Sequence, residues 1–168
     1  MCRSRQSLAA LQAPVARVAF ESIAMRQALA EDGEFLAQVF LASMREVITL
    51  ARGSWDEQRE CAQFQRQLQL RHTEIFELAG VAVGFVTLVP GESEIELHTV
   101  CVAPAYQGRG FGSFVLQTVA HSARAQGKAV VLSVLKSNPR ALALYERLGY
   151  SVVGQSEHHF HLRLHHAG

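Results

Sequence analysis

Three glycines in six residues, Gln107-Gly108-Arg109-Gly110-Phe111-Gly112, stand between a stretch of strand pattern and a stretch of helix pattern. Glycines there let backbone N–H groups turn inward unobstructed, and the helix start adds the positive end of its dipole. Such a nest binds phosphate, with Arg109 as a charged donor beside it. The run lacks the Lys-Ser/Thr ending of a P-loop and the third glycine of the dinucleotide fingerprint. Read from residues alone, it is either an anion- or phosphate-binding loop or a plain glycine-rich connection. Upstream, Glu96 and His98 share one face of a strand pattern, where a carboxylate and an imidazole could move protons. Cys101 alternates with that face, which makes it a small buried hydrophobe rather than a nucleophile.

These residues need a scaffold, and the hydrophobic periods supply one. Ile23 to Ala28 reads as a strand, and Asp32 as the N-cap of a helix carrying Phe35, Leu36, Val39, Phe40 and Met44 at helical spacing. Gly53-Ser54 breaks that helix, and a polar amphipathic helix runs from Ser54 to about Arg71. Glu74 to Ala79 and Val81 to Val89 form a hairpin turned at Ala79-Gly80. Glu94 to Val102 is a strand, followed by the glycine loop and a helix from about Gly110 to Gln126. Ala129 to Leu135 is a continuous apolar strand of the kind buried on both faces. Asn138-Pro139 opens a helix ending at Gly149, and Tyr150 to Gln155 with His158 to Leu164 closes the chain as a hairpin. The expected class is α/β (α+β), a mainly antiparallel sheet with one parallel crossover between Val102 and Ala129.

The loop, preceded by Val100-Cys101-Val102-Ala103-Pro104, resembles the acetyl-CoA loop Q/R-x-x-G-x-G/A of the GCN5-related N-acetyltransferases, the GNAT superfamily. A second segment agrees. Asn138-Pro139-Arg140-Ala141-Leu142-Ala143-Leu144-Tyr145-Glu146-Arg147-Leu148-Gly149-Tyr150 is similar to that superfamily's Asn-x-x-Ala-x-x-x-Tyr-x-x-x-Gly-Phe/Tyr. The resemblance runs from Ser22 to Leu164. It implies a twisted, mixed, mostly antiparallel sheet flanked by helices and splayed at an acyl-CoA cleft. It sets residues 1–21 apart as an N-terminal extension of a single domain, 22–168.

The resemblance also implies roles. Backbone groups of Val100, Cys101 and Val102 would bind the pantetheine arm. Gln107, Gly108, Arg109, Gly110, Phe111, Gly112 and Ser113 would cradle the pyrophosphate. Asn138 would contact the pantetheine while also capping its helix, and Tyr145 would protonate the departing thiolate. Glu96 lies eleven residues before Gln107, the offset of the catalytic glutamate in histone acetyltransferases of the superfamily. Both Glu96 and His98 match the histidine pair of arylalkylamine N-acetyltransferases. Either could accept the amine's proton; an imidazole needs little tuning for that work, whereas a carboxylate needs burial. Phe40, Met44 and Trp55 are candidates for an acceptor pocket or for core.

Composition narrows the classes. Lys+Arg 16 against Asp+Glu 15, a net charge of +1, is not the footprint of a general nucleic-acid binder. The apolar run Leu78 to Gly91 is broken by Gly80, Gly84 and Pro90, too short for a membrane span. Cys2, Cys61 and Cys101 are scattered without metal spacing, and Met1 to Ala19 lacks the uninterrupted apolar core of a secretory signal, so the expectation is a reduced, cytoplasmic protein. His158, His159, His161, His165 and His166 crowd the end and read as an exposed tail without a metal. The reading is an acetyl-CoA-dependent N-acetyltransferase acting on a small primary amine, with no metal, nucleic acid or membrane partner; a homodimer stays open. Its rivals are a protein N-terminal or lysine acetyltransferase and a non-catalytic acyl-CoA-binding module.

Overall fold

The computed structural model describes residues 23–164; the N-terminal extension, Cys2, His165 and His166 lie outside the described residues. In chain order the elements are β1 (Ile23–Gln27), α1 (Gly33–Arg52), α2 (Glu57–Gln67), β2 (Thr73–Leu78), β3 (Val81–Pro90) and β4 (Glu94–Val102). They continue with α3 (Phe111–Ala125), β5 (Ala129–Leu135), α4 (Pro139–Arg147), β6 (Ser151–Gln155) and β7 (His159–Leu164). One sheet forms in the order β1-β2-β3-β4-β5-β7-β6. Among the described residues only β4 and β5 are parallel neighbours, joined through α3 as a crossover must be. This is the expected mixed, mostly antiparallel sheet.

Turn chemistry explains the sharpest boundaries. Ala79 and Gly80 both take positive φ, 50° and 80°, the pair that a two-residue hairpin requires. Asn138 Oδ1 accepts the Ala141 N–H at 3.1 Å, capping α4 ahead of Pro139. Other boundaries depart from the expectation. Asp32 precedes α1 but does not cap it, because its carboxylate is spent on Arg26 at 2.8 Å and on the Leu29 N–H at 2.8 Å. The Arg26 guanidinium holds that carboxyl below the usual range. α2 starts at Glu57, not Ser54, since Asp56 is the residue whose side chain accepts an N–H, that of Arg59, at 3.0 Å. It stops at Gln67, well before Arg71.

Two further corrections concern the second half of the sheet. β5 is not buried on both faces: Val130, Leu132 and Val134 are buried, while Ser133 is exposed. The histidines at 158–161 are not a loose tail, for His159 and His161 belong to β7, which lies between β5 and β6. The core joins Leu36 and Val39 of α1 and Phe64 of α2 to Ile75, Phe76, Phe85 and Val86 of the sheet, with Val115, Leu116 and Val119 of α3 also buried.

Gly84 marks the tightest point of this packing. A Cβ there would overlap the Phe76 ring and the Cys101 carbonyl oxygen. The backbone oxygen cannot swing aside, so Gly84→Ala should cost about 3 kcal/mol, the upper end for overpacking. A urea denaturation midpoint measures it, and a midpoint equal to wild type would contradict the packing.

Candidate active site

The cleft begins where two strands part. β4 and β5 pair in register from Glu94/Ala129 to Leu97/Leu132 and no further, although β4 continues to Val102 and β5 to Leu135. The splay leaves β4 with an unpaired edge. Ala103 N–H donates to Val83 O at 2.8 Å, and antiparallel bonds alternate along a strand. Val100 and Val102 therefore aim their N–H and C=O groups away from β3 and into the gap. Ser43 Oγ and Gln107 Nε2 both donate to the Val102 carbonyl, at 3.1 and 2.9 Å. That leaves the Val100 N–H and C=O and the Val102 N–H for a ligand, a row of donors and acceptors suited to an amide-bearing arm.

The glycine loop continues this edge. Gly108 and Gly110 adopt φ of +72° and +89°, the left-handed region in which a side chain is strained. Gly110 ends the loop as the N-cap residue of α3, and Gly112 and Ser113 follow in the first turn, where N–H groups lack intrahelical acceptors. A Cβ at Gly112 would meet Leu144 and Val102 at 3.8 and 3.9 Å, ordinary contact distances, so the first turn of α3 packs directly against α4 and β4. Tyr106 steadies the turn, buried and edge-on to Phe111 at 5.9 Å. Arg109 does not reach inward. Its guanidinium lies over the Tyr106 ring, 5.7 Å from the centroid, and it is not among the residues that line the cleft.

The cleft has a volume of about 1130 Å³ and gathers most of the residues expected from the sequence. His98, Val100, Cys101, Val102, Gln107, Gly108, Gly110, Phe111, Gly112, Ser113, Asn138 and Tyr145 all line it. Glu96 does not: it is exposed on β4 below the splay, at the level of Val131 on β5. His98 follows the last rung that β4 and β5 close, and it sits at a bulge. Thr87 pairs with Thr99 but Leu88 pairs with Leu97, so His98 is the extra residue on β4. Its Nδ1 lies 3.2 Å from Thr99 Oγ1.

Tyr145 stands across the cleft on α4, 7% exposed and edge-on to Tyr150 at 5.5 Å. Its hydroxyl finds no hydrogen-bond partner among the described residues and is not one of the sealed polar atoms. Burial, chiefly, drives its pKa upward, reinforced by Tyr150 and Cys101, so the phenol keeps its proton in ordinary buffers. Burial also pushes the Cys101 thiol up to about 12, which disarms it as a nucleophile.

The opposite wall comes from α1 and α2. Phe40 and Met44 line it, with Phe40 stacked on Phe64 at 4.4 Å between ring centroids. Trp55 does not line it; Arg45 lies over its ring at 5.8 Å. Several cleft residues carried no sequence signal, because isolated residues on distant elements have no spacing to read. Ser137 Oγ bonds the Val47 carbonyl at 3.0 Å, tying the end of β5 to α1. Glu60, almost fully buried, is held by Arg52 at 2.7 Å and Arg59 at 3.0 Å. Among the described residues no group of three His, Cys, Asp or Glu side chains is placed to hold a metal, and no helix is long and apolar enough to cross a membrane.

Residues 41–150 match the model of the acetyltransferase (GNAT) family. The chain is 48% identical over 61 residues to the N-alpha-acetyltransferase RimI of Mycobacterium tuberculosis, covering 36% of this chain and 37% of that protein. It is 32% identical over 105 residues to mycothiol acetyltransferase of Corynebacterium glutamicum, covering 60% and 36%. The chain thus spans little more than a third of the length of these curated relatives. The crystal structure of PaiA N-acetyltransferase from Thermoplasma acidophilum in complex with coenzyme A superposes with a TM-score of 0.66 at 20% identity, over 86% of this chain and 99% of that one. That likeness shows a shared fold.

Proposed function

The chain belongs to the acetyltransferase (GNAT) family, and from that premise we propose that it is an acetyl-CoA-dependent N-acetyltransferase that transfers the acetyl group directly to a primary amine. The observation that carries this is the continuous backbone path from the outward-facing Val100 and Val102 groups to the first-turn amides of α3. Val100 and Val102 would hold the pantetheine amides, and the amides of Gly108 to Ser113 the pyrophosphate. The Asn138 side-chain NH2 remains available for the arm, since only its Oδ1 is used in the cap. Gln107 acts through its brace on Val102 O rather than as a phosphate ligand. Arg109 contributes through the backbone turn, its side chain being committed to Tyr106.

In the reaction, the amine nitrogen bonds to the acetyl carbon as the carbon–sulfur bond breaks. His98 faces the cleft at the apex of the splay and takes a proton from the amine. Tyr145 gives its proton to the departing thiolate. Glu96, outside the cleft, does neither. We expect His98→Gln to lower kcat by about 10²-fold or more with acetyl-CoA affinity unchanged, while Glu96→Gln stays near wild type. Coupled CoA-release kinetics and calorimetry read the two quantities; a rate loss confined to Glu96→Gln would reverse the assignment.

For the acceptor we favour a small-molecule amine, because the cleft's buried carboxylate, Glu60, is already matched by two arginines and leaves no buried acidic groove for a basic peptide. A protein N-terminus is the second reading, favoured by the similarity to an N-alpha-acetyltransferase. A CoA-release panel of polyamines, amino acids, arylalkylamines, aminoglycosides and N-terminal peptides separates them: turnover with peptides alone would overturn the first reading.

A further inference from the structure

An alkylammonium that becomes an amide has two protons to lose, one before its lone pair can attack and one as the nitrogen bonds to the acetyl carbon. His98 can hold one of them. The sheet carries a second acceptor on the same cleft. β4 and β5 stop pairing at Leu97/Leu132, and the residues that follow on the two strands, His98 and Ser133, both line the cleft. Ser133 is the exposed residue of β5 and lines the cleft. It pairs across β7 with His161, and Ser133 Oγ lies 2.9 Å from His161 Nδ1. The Ser133–His161 pair thus opens onto the same cleft that His98 lines.

We propose that Ser133 and His161 form a proton relay that serves the acceptor amine from the β5 side of the cleft. The nitrogen gives a proton to Ser133 Oγ as the serine's own proton passes to His161 Nδ1, and the imidazolium releases one from Nε2 to solvent. The other ammonium proton goes to His98, while the thiolate's comes from Tyr145, so the balance closes with no further reactant. Ser133 is the group that touches the substrate, and His161 acts through it. The titratable and charged groups around His161 come from several strands. On β7 its neighbours are His159 and Arg163, the latter held by Glu94 at 2.7 Å. β6 presents Gly154 and carries no titratable side chain over Ser151–Gln155. From β4 come Glu96 and His98, and beyond the strand His158. Burial, together with His161 and His158, lowers the pKa of His159.

This inference rests on the acetyltransferase reading, and its test separates the two. Nitrogen-15 NMR of the full chain, with and without acetyl-CoA, should show neutral His161 as the Nε2–H tautomer with Nδ1 accepting, a state lost in Ser133→Ala. An Nδ1–H tautomer in the wild type overturns the relay whether or not an acceptor is found. With an amine that turns over, the acid limb of log kcat at saturation should have a slope of two in the wild type and of one in Ser133→Ala and His161→Gln. Each variant should fall about 10²-fold, and the double substitution should fall no further, because the pair acts as one unit. Ser133→Thr, which keeps the hydroxyl, should recover the rate and the slope. A wild-type slope of one, or losses that multiply in the double variant, would overturn the relay while leaving the acetyltransferase reading intact. Failure of the wild type to bind acetyl-CoA or release CoA would count against that reading instead.

Discussion

Gly110→Val should abolish measurable acetyl-CoA binding while the domain still folds. Gly110 has φ of +89°, and a β-branched side chain there costs about 1–3 kcal/mol if the loop keeps its shape. If the loop instead relaxes to negative φ, the amides around Gly112 and Ser113 no longer converge. Hydrogen bonds to a charged group contribute about 1.5–3 kcal/mol each, so losing two weakens binding by roughly 100-fold or more. Gly110 itself lines the cleft, so a change of backbone there is felt at the site. The core lies elsewhere, in the helix faces and the sheet, so the urea midpoint should fall only modestly. Calorimetry with acetyl-CoA decides the matter. A folded variant with unchanged affinity would remove the loop from the binding site.

Tyr145→Phe should reduce kcat by about 10²-fold and leave acetyl-CoA affinity close to that of the wild type. The ring and its edge-on contact with Tyr150 survive the substitution, and the lost hydroxyl has no partner among the described residues, so stability should change little. A thiol of ordinary pKa, about 8.5, can leave unprotonated, but more slowly. The hydroxyl therefore matters in the transition state and not in the ground state, which is the pattern of a fall in kcat alone. The sign of the pH dependence follows from burial. Because the phenol's pKa is raised, Tyr145 remains a competent donor through pH 6 to 9, and the alkaline limb it controls lies above that range. That limb should vanish in Tyr145→Phe. Equal rates and identical limbs would return Tyr145 to the role of a core tyrosine.

Much of this protein is determined by short stretches of sequence acting locally. The turn at Ala79-Gly80, the cap at Asn138 and the positive-φ glycines of the loop follow from what a few adjacent residues can and cannot adopt. The strands Glu94–Val102 and Ala129–Leu135 fall where the pattern placed them, since each run is bounded by turn residues. The glycine loop and the Tyr145 segment were legible for the same reason, with each motif confined to one loop and the helix it opens. Local reading failed where a nearby group made a better partner than the one the pattern suggested. Asp32 gave its carboxylate to Arg26, and the start of α2 moved to the residue whose oxygen met a free N–H.

What only the tertiary structure decided is which of the residues legible in sequence face the same cavity. Glu96 and His98 are equivalent in spacing, yet His98 follows the last paired rung of β4 and β5 and lines the cleft, while Glu96 lies within the paired part and does not. Arg109 sits within the binding motif, but the ring of Tyr106 draws it to the flank. Ser133 and His161 lie 28 residues apart in the chain and meet only because β7 inserts between β5 and β6. Strand order, register and bulge position arise from pairings between distant segments, and a side-chain period of two says which residues share a face without saying what lies opposite them.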